Sequence, residues 1–408
     1  MELSEICELI VDCEHKTAPA QDIGYPSIRT PNIGPGYFIL DGVNRVSKET
    51  YELWTKRAVP QYGDIIMARE APVGNAAIIR GELRPCLGQR TLLIRPNKKK
   101  ADPLFLNYYL NGPHIQGVIH SKTNGATVAH LNMKDVRSLP LTTLPLIEKQ
   151  RRIAGVLSAY DELIENNQRR IRILEEMARS LYREWFVHFR FPGHENHPCV
   201  PSPLGEIPEG WEVKPLEAIC AKITDGAHHS PPSVSVGYPM ASVKDMHTWG
   251  IHLDTCRKIS EDDYRALVRN GCKPEKDDIL VAKDGSYLKH IFVVEKDLDL
   301  VILSSIALLR PASSIEPTYM SFVLNQPETI ARMTGFVSGV AIPRIVLKDF
   351  RRFQIVVPPE NVQGFWAKEA VPMVKMCQTL VAQSNNLRIT RDLLLPRLLS
   401  GKIKLEGD

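Results

Sequence analysis

The absences in this 408-residue chain narrow its class before any motif is read. Its eight cysteines, at 7, 13, 86, 199, 220, 256, 272 and 377, include no C-x-x-C pair and follow no secreted framework, so they read as reduced cytoplasmic thiols. No apolar run approaches the length of a membrane span. The amino terminus, MELSEICELIVDCEHK, has acids before its short apolar run and no basic leader, so a soluble, cytoplasmic protein is expected. Neither sign of charge dominates; a net charge of +4 permits an acidic partner but is far from a histone-like excess. ATP hydrolysis has no G-x-x-x-x-G-K-[ST] loop to house it, and no Asn-Pro-Pro-aromatic or Asp-Pro-Pro-Tyr motif supports methyl transfer. Gly34-Pro35-Gly36 is too isolated to serve as a cofactor loop. With 43% hydrophobic residues, the chain still has material for two or three domain cores.

What is present is organised around Leu144 to His188. Pro145 suits a first helical turn, Gly155 is the one glycine that follows, and no further proline or glycine occurs before Pro192. Ile153, Leu157, Tyr160, Ile164, Asn167, Ile171, Leu174, Ala178, Leu181 and Trp185 are spaced alternately by four and three, which is a heptad seam. At 1.5 Å per residue the rod is roughly 60 Å long, more than one compact domain needs, so a partner helix is implied. The partner lies later in the chain. Trp366, Ala370, Met373, Cys377, Leu380, Ser384, Leu387, Arg391, Leu394 and Leu398 repeat the spacing, each 213 residues after its counterpart (366 minus 153). This second seam is less apolar, and Pro372 is expected to kink its first turns. Asn167 is the polar intrusion in the first seam, either a register device or a harmless solvated end.

The repeat extends to the segments between the helices. Residues 1–143 carry short apolar runs punctuated by turn signals, as a strand-rich mixed domain does, with strands expected at 63–69, 74–79 and 92–96 and a helix over 103–119. Residues 123–132 read as an exposed polar loop. The first helix is expected over 144–190 and a proline- and glycine-rich linker over 191–210. A second mixed domain follows over 211–357, then a second helix over 358–401 and a tail over 402–408. Cys7 matches Cys220, Asp12 matches Asp225, His15 matches His228, Tyr25 matches Tyr238 and Tyr51 matches Tyr264, all 213 apart. The offset drifts by one or two near Asp64 and Asp278, as small loop insertions produce. Loops such as 30–42 and 243–253 differ, as expected of halves that do one job on different targets.

The layout resembles the specificity subunit of type I restriction-modification systems. The resemblance covers nearly the whole chain. It rests on Leu144-Pro145-Leu146-Ile147-Glu148-Lys149-Gln150-Arg151-Arg152-Ile153-Ala154 opening the first helix and on residues 174–186, LEEMARSLYREWF, closing it. Ile207-Pro208-Glu209-Gly210-Trp211 opens the second domain, and residues 394–403, LLPRLLSGKI, end the second helix. One departure is that no glycine-tryptophan lead-in precedes Leu3. The resemblance implies an α+β fold: two duplicated mixed α/β target recognition domains joined by two long helices in an antiparallel coiled coil, pseudo-twofold overall. It implies a non-catalytic subunit reading a split double-stranded DNA target. Methyltransferase subunits, two of them, dock on the helices and bring in restriction subunits, and S-adenosylmethionine, ATP and Mg belong to those partners only.

Reading bases requires hydrogen-bonding and cationic side chains at base edges and phosphates. The candidates are Lys16, Arg29, Asn32, Arg69, Arg90, Lys122, Asn124 and His130 in the first domain. In the second they are His228, His229, Lys244, Lys283, Tyr287, Lys289, Arg332 and Arg344. Each can equally be an ordinary solvated charge. The seam residues counted as a site are Ile153, Leu157, Tyr160, Ile164, Ile171, Leu174, Leu181, Trp185, Met373, Cys377, Leu380, Leu387, Leu394 and Leu398. Glu275, Asp277, Asp278 and Lys283 are the nearest approach to a nuclease cluster, but a strand-end structural role is preferred because the matching residues are Gly63, Asp64 and Arg69. His188, His194, His197 and Cys199 fit no zinc spacing, so no metal is expected. A structural adaptor with protein-binding ends and a self-contained methyltransferase are the competing readings; DNA binding with a salt dependence separates the first of these.

Overall fold

The computed structural model describes residues 1–123, 129–284, 288–335, 345–400 and 402–405. Two compact units emerge, Met1–Glu165 with Asn385–Asp408, and Asn166–Ser384. No helix among the described residues is long and apolar enough to cross a membrane.

In the first unit the strands Cys7–Asp12, Thr91–Pro96, Ile65–Ala68 and Ala76–Ile78 pair antiparallel in that spatial order. Every residue of Ile65–Ala68 is buried, because both sheet faces are covered. Ile65, Met67, Leu92 and Ile94 face a core shared with Phe105, Leu106 and Tyr109. Ile66, Ala68 and Leu93 face a second core with Ile28 and Leu87. There a smaller sheet joins Arg45–Val46, Tyr25–Ile28 and Cys86–Leu87. The single helix expected over 103–119 is two helices, Pro103–Asn111 and Pro113–Ser121. Gly112 takes an extended conformation and Pro113, with no N–H to continue a helix, starts the second.

The second unit repeats this plan. Cys220–Asp225, Ile306–Pro311, Ile279–Ala282 and Ile291–Val293 form a sheet of the same order, with a register shift between Cys220 and Lys222 where the first unit shifts between Cys7 and Leu9. Tyr25 stacks on Tyr51 at 4.1 Å in one unit, and Tyr238 on Tyr264 at 4.1 Å in the other. The divergent loop 243–253 holds a short hairpin, Met246–His247 with Gly250–Ile251, where the first unit has the single bridge between Ile33 and Phe38. The 191–210 segment, expected as a linker without regular structure, contains a hairpin, Cys199–Ser202 with Gly205–Pro208. Its prolines are tolerated because a two-stranded ladder uses only alternate N–H groups of each strand.

The long helices are Ile147–Tyr182, extended by a π-helical turn over Arg183–Val187, and Glu360–Leu399. Pro372 lies inside the second, on its exposed side, where water can satisfy the carbonyl that loses its partner. In the first unit Ile153, Ala154 and Leu157 share a core with Leu395 and Leu398. In the second unit Tyr182 and Phe186 share one with Trp366 and Ala370. The start of one helix thus meets the end of the other in both units, so the segments run antiparallel. No seam residue is exposed: Ile153, Leu157, Ile164, Cys377, Leu380 and Leu398 are buried, while Tyr160, Ile171, Leu174, Leu181, Trp185, Met373, Leu387 and Leu394 are partly so. Past Ala178 the deepest burial moves one residue on, from Leu181 and Trp185 to Tyr182 and Phe186, where the helix leaves heptad packing for the aromatic cluster of Trp211, Tyr319 and Trp366. Asn167 is only 7% exposed, which excludes the solvated-end reading.

Each helix start is clamped by a buried glutamine. Gln150 accepts the Asp102 N–H at 2.9 Å and donates to the carbonyls of Lys100 and Pro145 at 3.1 and 2.9 Å. Its repeat partner Gln363 accepts the Glu316 N–H at 2.9 Å and donates to the Pro358 carbonyl at 2.8 Å. This explains why a polar residue belongs in an otherwise apolar opening: it satisfies backbone groups that the junction buries.

Candidate nucleic-acid interface

The antiparallel register sets the geometry of the first unit's sheet end. Asp12 pairs with Leu92 and Ala68 with Thr91, so Asp12, Arg69 and Arg90 leave three adjacent strands at one edge. Three loops meet there through backbone and side-chain bonds. The Gln89 amide donates to the His15 carbonyl at 3.0 Å, Gly88 N–H donates to the Ile28 carbonyl at 2.8 Å, and Arg69 N–H donates to the Arg90 carbonyl at 2.8 Å. Gly88 is required because a Cβ there would lie 2.7 Å from the Ile28 carbonyl oxygen. These contacts bring the exposed Lys16, Arg29 and Arg90 to one end of the sheet.

Beneath them lies a relay of charge. Arg69 is 7% exposed and donates to the Leu131 carbonyl at 2.9 Å, to Asp12 at 2.6 Å, and to His130 Nε2 at 3.0 Å. A guanidinium can only donate, so Nε2 accepts, and the neutral His130 ring carries its proton on Nδ1, 2.9 Å from Glu70. The other Glu70 oxygen holds Arg90 at 2.5 Å. Asp12 also meets the exposed His15 at 3.3 Å.

The second unit keeps the frame and changes the surface. Lys283 is 6% exposed and lies 3.3 Å from Asp225 and 3.5 Å from Asp284. Asp225 takes His228 at 3.1 Å. Lys283 N–H donates to the Ser305 carbonyl at 3.1 Å, as Arg69 does to Arg90. Ala227 and Ala241 are tied to residues 302–304, so exposed His228, His229 and Lys244 occupy the loops that carry Lys16 and Arg29 in the first unit. Ser305 stands where Arg90 stands.

Several expected DNA contacts sit elsewhere. Arg69 and Lys283 are buried and engaged with Asp12 and Asp225 rather than presented at the surface. Both His130 ring nitrogens are likewise engaged. Asn32 is 6% exposed and closes its own turn, accepting the Arg29 N–H at 3.1 Å and donating to the Ile39 carbonyl at 3.2 Å. Asp245 does the same for Ser242. Lys122 is half-buried at a helix end, and Lys289 is exposed. Arg332 lies 4.6 Å over the Phe353 ring and donates to the Gln354 carbonyl. Asn124, Tyr287 and Arg344 fall outside the described residues.

The nuclease-like cluster is structural. Asp278, fully buried, forms a two-pronged pair with Arg310 at 2.7 and 2.9 Å, and Asp64 pairs with Arg95 at 2.9 and 2.7 Å in the first unit. Lys283 stays with Asp225, away from that pair. Among the described residues, Asp12, Cys13 and His15 place three potential ligand atoms together, but Arg69 already holds Asp12. His194, His197 and Cys199 form no such group.

One pH response is built into the second unit's hairpin. Burial pushes His247 down to about 4, with smaller contributions from His252, its ring 4.3 Å away, and His290. A base with a depressed folded value is stabilising above its ordinary 6.5, and that contribution is lost as pH falls from there toward 4, because the unfolded chain takes up the proton first. His247→Asn should therefore flatten the stability loss between pH 6.5 and 4, read as thermal midpoint against pH. An unchanged slope would place the acid sensitivity in other groups.

Residues 1–176 match the model of the family described as type I restriction modification DNA specificity domain. The MjaIX specificity subunit, of a type I restriction enzyme of Methanocaldococcus jannaschii, is 24% identical over 375 residues, covering 90% of this chain and 84% of its own. Over the matched residues this chain is similar to the type I restriction-modification specificity subunits. Such subunits are the non-catalytic components of their complexes. A second specificity subunit, that of HindI from Haemophilus influenzae, is 22% identical over 85% of this chain and 88% of its own. The crystal structure of the S subunit from M. genitalium aligns with a TM-score of 0.61 at 16% identity, covering 98% of this chain and 95% of that one, which establishes the shared fold.

Proposed function

We propose that this chain is a specificity subunit that reads a split duplex DNA target, one half through each recognition domain, and directs cytoplasmic partner subunits to it. The observation that carries this reading is the repeated frame with different faces. Asp12 with Arg69 and Asp225 with Lys283 anchor matched strand ends, while the same loops present Lys16, Arg29 and Arg90 in one unit and His228, His229 and Lys244 in the other. A frame held internally leaves the loop side chains available for phosphates and base edges. Two weak readers on one chain raise each other's effective concentration, so specificity becomes a product of two partial readings.

Methyltransferase subunits, two per complex, are the partners we assign to the long helices, with restriction subunits joining through them. S-adenosylmethionine, ATP and Mg belong to those partners. The test is methylation mapping of cells that carry this chain with its methyltransferase subunits. A single motif of two short sequences at a fixed gap is expected; methylation without a split motif would overturn the proposal.

The helices supply a second test. Leu174→Pro removes a helix hydrogen bond and forces a clash, a cost of about 3 kcal/mol or more. Co-purification with methyltransferase subunits should be lost, while hydrogen exchange in the sheet cores 65–68 and 279–282 stays protected. Unchanged co-purification would show that this stretch bears no part of the assembly.

A further inference from the structure

The glutamine clamp at each helix start is one point of attachment, and one point is a pivot. The first unit has a second attachment eleven residues further on, at Asp161, about 16 Å along the helix. Its carboxylate gathers three elements. One oxygen accepts the hydroxyl of Tyr108, from the helix Pro103–Asn111, and lies 3.8 Å from Arg80, just beyond the strand Ala76–Ile78. The other accepts from Arg391 of the second long helix at 2.5 Å. The Asp161 and Arg391 side chains are 21% and 16% exposed. Burial, and then the neighbouring carboxylate, raise the Tyr108 hydroxyl, which keeps it protonated and donating.

The repeat shows that this hub is not needed to build the fold. By the duplication, Tyr108 corresponds to Phe322, Asp161 to Val374 and Arg391 to Ala178, all without charge. Phe322 packs edge-on against Trp366 at 5.2 Å, and Val374 and Ala178 are 7% and 1% exposed. The same places in the second unit are therefore filled by non-directional apolar packing. A charged hub of two hydrogen-bond donors and a nearby Arg80 cation is directional, and it places an arginine in a helix seam where an unpaired charge is costly.

We propose that Asp161 is a positioning residue for split-site reading: with the Gln150 clamp, it fixes the angle of the first recognition domain on the helices and so the gap between half-sites that the complex accepts. This rests on the split-site reading above. Asp161 touches no DNA in this scheme; it acts through the orientation of the domain that does.

The test compares methylation maps of cells carrying the full chain with its methyltransferase subunits. One variant combines Tyr108→Phe, Asp161→Val and Arg391→Ala, the residues of the second unit. The other is Tyr108→Phe alone, which removes a single hydroxyl. Both half-sequences should stay the same, while methylation at sites with the gap one base pair longer or shorter rises about tenfold relative to the normal gap in the triple variant, and less in the single one. A strict gap in a triple variant that melts and assembles normally would overturn the proposal, since Asp161 would then only stabilise. Altered bases in the first half would overturn it as well, by giving Asp161 a part in reading. Should the triple variant fail to accumulate, Tyr108→Phe decides, and an unchanged gap there counts against the proposal. Failure of the split-site reading itself would be seen separately, in the unmodified chain.

Discussion

On the proposed function, exchanging residues 1–143 for the matching segment of a type I specificity subunit should replace one half of the methylated sequence and leave the other half and the order of the two intact. The expectation follows from where the variable side chains lie. Lys16, Arg29 and Arg90 all fall inside the exchanged segment, and the bonds that bring their loops together, from Gln89 to His15 and from Gly88 to Ile28, are internal to it. The new segment must carry the backbone groups that Gln150 clamps, supplied here by residues 100 and 102. A hybrid in which both halves of the sequence changed would show that reading is not divided between the domains. The effect is close to all-or-none, because each mismatched base pair costs about 1–3 kcal/mol and the costs add over a half-site.

Asp278→Ala should be among the most destabilising single changes in the second unit. The carboxylate is fully buried, holds both prongs of Arg310, and also accepts the Glu275 N–H at 2.7 Å. Its removal strands a guanidinium and a backbone donor together, a class of change that costs about 3–5 kcal/mol. Glu275, 2.9 Å from Arg310, recovers part of the loss, which favours the lower end. Asp278→Asn keeps an acceptor for the backbone and should cost less. Denaturant unfolding followed by a probe in the second unit measures both; a loss under about 1 kcal/mol for the alanine variant would show that water and Glu275 suffice for Arg310. Asp64→Ala should behave alike in the first unit, where Arg95 is the partner.

Most of the architecture could be read from period and repetition. Heptad spacing located the long helices, and a constant offset matched the two mixed domains, because both signals are local or self-referential. The single helix expected over 103–119 shows the limit: apolar content runs on through Gly112-Pro113, where the backbone ends one helix and begins another. The hairpin at 199–208 is hidden from composition, because proline content does not show which ladder positions need an N–H. At the candidate interface, the duplication marks Arg69 and Lys283 as a matched pair of cations, expected at the DNA. Their burial depends on Asp12 and Asp225, brought alongside by strand pairing, although a carboxylate repeated with a cation at the same offset was the available clue. Arg391 looked like a flaw in the second seam; its partner Asp161 lies 230 residues away and has no repeat counterpart that could have exposed it.

The division of the chain has a consequence for its synthesis. The second unit is continuous in sequence, whereas the first joins Met1–Glu165 to Asn385–Asp408. Leu395 and Leu398 complete the core that contains Phe105, Ile153 and Leu157. Between Glu165 and Asn385 the ribosome adds 219 residues (166 to 384), which takes about 10–45 s at the usual elongation rates of about 5–20 residues per second. For that interval the first-made domain carries an open apolar flank on its nascent chain, and the later domain has all its residues before the first does. The earlier half of this protein is thus the last to finish folding, and it is the half that chaperones and proteases meet incomplete.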